Sequence, residues 1–169
     1  MRFTAEEGET WVGNFQRGFG GWYLSAAFEH PAMERFVVIS GGQAYVVAPS
    51  TRACVETFGG NIREAVRDDQ RLILATDTEA IVLERSGRWV SERLAWDGLA
   101  DLKVQGDLLR GQGRDALNDE WRPIELDLQT HAVLTSAYEF RTAPLPRPRE
   151  RDWRALVSRL VSRFRARRP

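Results

Sequence analysis

The sequence predicts a mainly β protein, an antiparallel meander that forms a sandwich or open barrel, followed by a C-terminal amphipathic α-helix. Short β-branched and aromatic runs recur between turn residues, as in a chain of hairpins. A single short interior stretch carries helix signals, and the last 29 residues change abruptly in charge. These three observations determine the predicted fold class.

Two pairs of apolar runs predict the first hairpins. Residues 36–39 and 44–47 flank a Gly-containing loop, and residues 72–74 and 80–83 flank residues 76–79 in the same way. Each run is short and rich in Val, Ile or Leu, which favour strands. We therefore expect two antiparallel strand pairs here.

The second half of the body continues the pattern. Residues 89–96 and 99–104 flank Asp97-Gly98, a dipeptide that favours a type I′ turn, so a hairpin is predicted there. Gly106-Asp107 marks the next turn. Residues 124–128 alternate apolar and polar, as a strand with one exposed face does, and Thr130-His131 then turns the chain towards residues 133–140.

The interior helix signal is a capping box. Asn61 is a suitable N-cap, Glu64 lies three residues later, and Ile62, Ala65 and Val66 share one helical face. A helix of about two turns is expected at this point.

Two internal similarities suggest a repeated unit. Residues 36–51 align with residues 72–87 at a spacing of 36, and residues 124–134 align with residues 45–55 at a spacing of 79. Spacings near 40 are typical of propeller blades. Because three or four imperfect copies are few for a closed propeller, propeller-like repeated hairpins are the alternative to the sandwich or barrel.

Residues 89–128 also resemble a pattern found in bacterial β-rich proteins. The pattern consists of an Arg-Leu-x-x-Asp-Gly core, a strand bounded by glycines, and a Trp-x-Pro-hydrophobic strand; the matching residues begin at Arg93, Gly106 and Trp121. The resemblance spans about a quarter of the chain. It implies a β-rich fold, and it supplies neither an activity nor catalytic residues.

Length and composition indicate a cytoplasmic protein with one ordinary domain. The 169 residues suffice for a hydrophobic core, and the acidic first residues do not form a secretory signal. No apolar run reaches the length of a membrane span. The single cysteine, Cys54, excludes an internal disulfide; its apolar surroundings favour a buried position.

Signals for catalysis are weak, so the chain is expected not to be an enzyme and no catalytic residue is assigned. The two histidines, His30 and His131, are the candidate general bases of an alternative enzyme hypothesis. The sequence has no nucleophile elbow and no complete dinucleotide fingerprint. The carboxylates between Asp97 and Asp127 mostly lie beside turns, so neither a metal nor another cofactor is expected.

Three tryptophans of the body are expected to pack the core or the ends of the sheet: Trp89, Trp96 and Trp121. A binding face is the alternative. Trp89 and Trp96 have opposite strand parity, which predicts one partly exposed indole near Asp97-Gly98.

Charge and proline content divide the chain into a β-rich domain at residues 1–142, a proline-rich spacer at 143–150 and a basic amphipathic helix at 151–168. From Arg141 onwards ten arginines face two carboxylates, a net charge of +8, whereas the preceding 140 residues carry −8. An acidic body therefore precedes a basic tail.

The tail is the best functional candidate. Its apolar stripe and flanking arginines are the predicted partner-binding residues: Trp153, Leu156, Leu160, Phe164, Arg159 and Arg163. The stripe is expected to pack on its own domain, on a second copy in a homodimer, or on a protein partner; an anionic membrane surface is a further alternative. Nucleic acid is disfavoured because the acidic body repels phosphate. The sequence thus predicts a non-catalytic interaction or regulatory module.

Overall fold

The computed structural model describes residues 1–4, 8–18, 22–32, 34–115 and 117–138. These residues belong to one compact unit that extends to Glu139; the second unit, Phe140–Pro169, lies outside the described residues. The predicted spacer and C-terminal helix fall in that second part, so they stay predictions. Every regular element of the described residues is a β-strand, and none of them forms a helix long and apolar enough to cross a bilayer. The expected mainly β, antiparallel character is confirmed.

Twelve of the strands form three four-stranded antiparallel meanders, each with its strands in chain order. Sheet I contains β3 (Ala26–Glu29), β4 (Phe36–Ser40), β5 (Gln43–Ala48) and β6 (Ala53–Gly59). Sheet II contains β7 (Glu64–Arg67), β8 (Leu72–Ala75), β9 (Ala80–Glu84) and β10 (Gly87–Val90). Sheet III contains β11 (Leu99–Gln105), β12 (Leu108–Asp115), β13 (Glu120–Asp127) and β14 (Val133–Thr135). A separate N-terminal hairpin pairs β1 (Arg2–Thr4) with β2 (Thr10–Val12).

The two predicted apolar hairpins are confirmed as equivalent parts of successive sheets. In sheet I, β4 pairs with β5, and in sheet II, β8 pairs with β9. The spacing of 36 therefore relates the second and third strands of neighbouring sheets. The spacing of 79 likewise relates the third strand of sheet I to the third strand of sheet III.

The predicted interior helix is wrong, because its residues form an edge strand. Glu64–Arg67 pairs with β8 along its whole length. Instead of closing a capping box, the Glu64 carboxylate accepts a hydrogen bond from Leu102 N, 3.1 Å away, at a bulge in β11. Sheet pairing and this cross-sheet bond outweigh a weak local helix signal.

The predicted hairpin at Asp97-Gly98 is also wrong. The strand before it ends at Val90 and pairs with β9, while the strand after it pairs with β12. The dipeptide instead lies in the connection between sheets II and III, so the turn that it forms links two sheets and not two paired strands.

The two central strands of sheet II, β8 and β9, are buried on both faces and connect two apolar layers. Leu72 and Leu74 pack with sheet I, whereas Ile73 and Ala75 alternate onto the layer shared with sheet III. This alternation follows from the two-residue period of a strand. At about 1.5–3 kcal/mol for each fully buried aliphatic side chain, these layers supply most of the driving force for stacking the sheets.

The two outer faces of the stack differ. The N-terminal hairpin covers the outer face of sheet I with an aromatic cluster in which Phe3 and Trp11 stack at 4.1 Å between ring centroids. The outer face of sheet III is polar; Arg110 and Glu125 form an ion pair across β12 and β13 at 2.8 Å. Lys103 and Gln105 lie with them along a shallow groove of about 580 Å³.

Candidate functional site

The connections between strands emerge alternately at the two ends of the stack. In a four-stranded meander, the link between the second and third strands leaves at the same end as the link to the next sheet. We call this end, formed by the connections β4–β5, β6–β7, β8–β9, β10–β11 and β12–β13, the loop end. Backbone hydrogen bonds join these loops: Gly42 O accepts from Gly60 N at 3.0 Å, and Asp77 O accepts from Gly98 N at 2.6 Å.

One carboxylate organises the polar part of the loop end. Asp77 lies at the turn between β8 and β9, with its side chain about one-fifth exposed. Its Oδ2 accepts a hydrogen bond from Asn61 Nδ2 at 3.0 Å and lies 3.4 Å from the Tyr23 hydroxyl. Its other oxygen forms an ion pair with Arg63 Nε. The Asp77 side chain therefore joins its own turn to two other segments, the one before β3 and the connection between β6 and β7.

A row of alternating charges continues from Asp77 towards sheet III. Asp97 lies 3.8 Å from the Arg63 guanidinium and 3.9 Å from that of Arg114. Arg114 in turn donates from Nε to Asp119 at 2.6 Å. The row crosses the exposed end of the sheets, so each charge remains accessible to water.

Aromatic side chains border this row. Trp96 is 49% exposed and stacks on Tyr138 with 5.6 Å between ring centroids. The Arg93 guanidinium lies over both rings, at 5.2 Å from the Trp96 centroid and 4.6 Å from the Tyr138 centroid. A guanidinium over an aromatic face is a favourable cation–π arrangement.

The second exposed indole belongs to Trp121, on β13, and is 51% exposed. A Cβ placed on Gly98 would lie 3.3 Å from Trp121 Cη2, so the ring rests on the backbone of the inter-sheet connection. Trp96 is anchored to the same neighbourhood, because its backbone N donates to Arg114 O at 3.1 Å. Trp96 thus precedes Asp97 in the chain, and the Trp121 ring lies against Gly98, which follows it.

These positions partly correct the expectations for the tryptophans. Trp89 packs on the core as expected, with its ring 3.9 Å from the His131 ring. Trp121 does not, and Trp96 confirms the prediction of a partly exposed indole beside Asp97-Gly98. The prediction relied on the alternation of side chains along a strand. Trp96 is instead partly exposed because it lies in the connection between β10 and β11.

Neither histidine lies in a constellation suited to catalysis. His30 Nδ1 accepts a hydrogen bond from Ala32 N at 2.9 Å, which closes a local turn. His131 has φ of 63° and stacks on Trp89. In the turn before it, the backbone N–H groups of Thr130 and Gln129 lower the pKa of Asp127. Both imidazoles thus have ordinary structural contacts.

The environment of His30 predicts a pH dependence of stability. Burial lowers the pKa of His30, and the positive charge of Arg35 adds to that effect. The folded state therefore binds fewer protons than the unfolded state once the pH falls below the ordinary histidine pKa of about 6.5. Stability is fully present above that pH and declines as the pH falls from there towards the lower folded pKa.

We expect His30→Asn to reduce this decline, because the amide oxygen can accept the Ala32 N–H bond without titrating. The measurement is the difference in Tm between pH 7 and pH 5 for both proteins. A variant that loses as much Tm as the parent over this range would show that His30 is not the responsible group.

Cys54 corrects another expectation. It lies on β6, the edge strand of sheet I, and is exposed, with Sγ 3.3 Å from Glu56 O. An apolar tripeptide on an edge strand need not face a core. Among the described residues, no group of three or more His, Cys, Asp or Glu side chains could hold a metal ion.

The predicted partner-binding residues of the tail lie outside the described residues: Trp153, Leu156, Leu160, Phe164, Arg159 and Arg163. The loop-end surface was not predicted as a site. Its signal in the sequence is an indole on each side of an Asp-Gly connection, which identifies a site only once β12 and β13 are known to bring Trp121 back to Gly98.

The sequence matches no protein-family model, and a search of curated proteins finds no match. Among solved structures, the chain is similar to the N-terminal domain of Nup159, with TM-score 0.46 and 14% identity over 69% of this chain and 34% of that chain. It is also similar to a chain in an S. cerevisiae complex of Dbp5 with Nup159, Gle1, IP6 and ADP, with TM-score 0.40 and 15% identity over 61% of this chain and 31% of that chain. The chain thus spans about a third of the length of either.

Proposed function

We propose that this protein is a non-catalytic interaction module whose binding surface is the loop end. The observation that carries the proposal is the pair of half-exposed indoles, Trp96 and Trp121, around the charged row of Asp97 and Arg114. Tryptophan, tyrosine and arginine are the side chains most enriched at the energetic centres of protein interfaces.

The rigidity of the surface supports this proposal. Trp96 and Gly98 are tied by backbone hydrogen bonds to Arg114, and Gly98 is tied to Asp77. A surface held in this way loses little conformational entropy when it binds. The structural contacts of His30 and His131 leave the enzyme alternative without a supporting constellation in the described residues.

The three sheets support the propeller-like interpretation of the fold over a sandwich or barrel. Each is a four-stranded meander, and the internal similarities relate equivalent strands of different sheets. We infer that the sheets are blade-like repeats. Stacked repeats place their loops in a row at one end, which gives a binding surface built from several short connections.

The basic C-terminal segment is the second part of the proposal. Its net charge of +8 and the apolar stripe containing Trp153 and Leu160 suit an attachment element for a protein partner or a second copy. Its residues are different from those of the loop-end surface, so the two parts can be tested separately.

Site-specific photo-crosslinking tests both parts. With p-benzoylphenylalanine at position 121 in the full chain, irradiated in its host cells, we expect a discrete adduct of higher mass. The adduct should weaken at least about fivefold when Trp96→Ala is added, because a central interface aromatic contributes upwards of 1 kcal/mol. The crosslinker at position 160 tests the tail.

The control is position 55 on β6, whose side chain is as exposed (51%) as Trp121. Absence of a discrete adduct at position 121, or an equal adduct at position 55, would contradict the assignment of the binding surface to the loop end.

A further inference from the structure

Asp97-Gly98 is the only position in the sequence where an aspartate or asparagine precedes a glycine. The carboxyl carbon of an aspartate can be attacked by the backbone nitrogen of the next residue, because the two atoms are held close enough to close a five-membered ring. A side chain on that next residue hinders the ring closure, and glycine has none. The local sequence therefore favours this reaction at Asp97 over every other aspartate of the chain.

No hydrogen bond within the described residues holds the Asp97 carboxylate. Its side chain is 53% exposed, and the guanidinium groups of Arg63 and Arg114 lie 3.8 and 3.9 Å away, beyond hydrogen-bond length. Most other described aspartates accept hydrogen bonds; Asp127, for example, accepts from two backbone N–H groups further along the chain. The Asp97 carboxylate has no such bond to keep it away from Gly98 N.

The backbone nitrogen of Gly98, in contrast, is held in place. It donates a hydrogen bond to Asp77 O at 2.6 Å. To attack the Asp97 side chain this nitrogen must lose its proton, so the hydrogen bond has to break first. Asp77 is itself fixed by Asn61 and Arg63. Ring closure therefore requires a local opening of the loop end.

We propose that Asp97-Gly98 is a site of slow backbone isomerisation, and that opening of the hydrogen bond from Gly98 N to Asp77 O sets its rate. Gly98 N forms a bond to Asp97 Cγ of the neutral carboxyl group. The bond from Cγ to the hydroxyl oxygen breaks, and this hydroxyl leaves with the Gly98 amide proton as water. Water then opens the cyclic imide: cleavage at Cγ restores aspartate, whereas cleavage at the main-chain carbonyl carbon leaves isoaspartate.

The product changes the backbone at the loop end. In isoaspartate the main chain runs through the side-chain methylene of residue 97, so Gly98 lies one carbon further from the Cα of that residue. Gly98 N is then displaced from Asp77 O, and the Trp121 ring loses the backbone on which it rests. The modification therefore falls on the surface that carries the two exposed indoles, and it leaves the mass of the protein unchanged.

Peptide mapping of the full chain after prolonged incubation in neutral buffer tests the proposal, with fragmentation by electron transfer to distinguish isoaspartate from aspartate. We expect isoaspartate at position 97 before any other position. The internal control is Asp101, which is exposed and accepts no hydrogen bond within the described residues but precedes Leu102. The chain unfolded in urea should isomerise at position 97 at least about fivefold faster, the factor that one net backbone hydrogen bond contributes.

Asp97→Asn follows the same ring closure through a change in mass, because the amide is lost as ammonia in place of water. In this background Asp77→Ala should speed the loss of ammonia about threefold in the folded chain, since it removes the side chain that Asn61 and Arg63 fix. Asp119→Asn is the control; it removes an exposed charge partner of Arg114 and should leave the rate unchanged.

Three results would overturn the inference: isoaspartate appearing first at another position, equal rates at position 97 in the folded and the unfolded chain, or equal rates of ammonia loss with Asp77→Ala and Asp119→Asn. If Asp77→Ala does not fold, the comparison between the folded and the urea-unfolded parent still decides whether the loop end controls the reaction.

Discussion

Gly42→Ala is expected to lower the free energy of unfolding by about 3 kcal/mol, through overpacking and backbone strain together. Gly42 has φ of +87° at the turn between β4 and β5. A Cβ there would lie 2.8 Å from Gly60 O, 2.9 Å from Tyr23 Cβ and 3.1 Å from Ile62 N. Since Gly60 N and Ile62 N both donate to Gly42 O, the substitution pushes apart the loops that join sheets I and II.

Chemical denaturation measures this effect, with Gly106→Ala as the control. Gly106 also has positive φ, +63°, but nothing lies within 4 Å of a Cβ placed there. Its replacement should cost only the backbone strain, about 1 kcal/mol. Equal losses in the two variants would mean that the close approach of the loops contributes nothing to stability.

Asp77→Ala is the second large effect, with an expected loss of about 2 kcal/mol, typical of leaving partly buried hydrogen-bond donors without their acceptor. The substitution leaves Asn61 and Arg63 without their acceptor. Asp77→Asn should lie between the parent and the alanine variant, because the amide oxygen can still accept from one donor.

The comparison for Asp77 is Asp119→Asn, which removes an exposed charge partner of Arg114 and keeps a residue type that tolerates the φ of 55° at this position, so it should cost less than about 1 kcal/mol. Differential scanning calorimetry on the full chain distinguishes the two. If both variants lost the same free energy of unfolding, Asp77 would contribute no more than a partner in a surface ion pair, and its role in joining three segments would be contradicted.

These two positions also bear on function, because both hold the loop end in place. Gly98 N donates to Asp77 O, and Gly98 supports the ring of Trp121. A change at Asp77 that displaces this backbone would alter the binding surface without touching it. Stability and binding should therefore be measured together for the Asp77 variants.

Local hairpins were predictable because both strands and their turn lie within a dozen residues. The paired runs of β4–β5 and β8–β9 carry their own apolar pattern and turn chemistry. The continuous apolar run of β8 also predicts a strand from local sequence alone, because a strand that is buried on both faces need not alternate between apolar and polar residues.

The errors share a physical cause, namely contacts between residues distant in the chain. Glu64 has local helix signals, yet pairing with β8 and a bond to Leu102 N place it in a strand. Asp97-Gly98 has hairpin chemistry, yet each flanking strand already pairs with another partner. Cys54 sits in an apolar run, yet that run is an edge strand, whose exposure depends on what covers the sheet.

The candidate site shows the same division. The sequence places Trp96 next to Asp97, and the partial exposure of this indole was predicted from it. The approach of Trp121 to Gly98 and the separation of Asp97 from both neighbouring guanidinium groups required the registers of sheet III and the connection from sheet II.

The β-rich character, the repeated apolar hairpins and the division between an acidic body and a basic tail follow from composition, local pattern and charge, which are properties of short segments. The arrangement of the hairpins in three stacked sheets, with their connections meeting at one end, follows only from contacts between distant parts of the chain. Stacking depends on which faces bury one another, and the loop end depends on hydrogen bonds such as that from Gly98 N to Asp77 O, between residues that no local pattern relates.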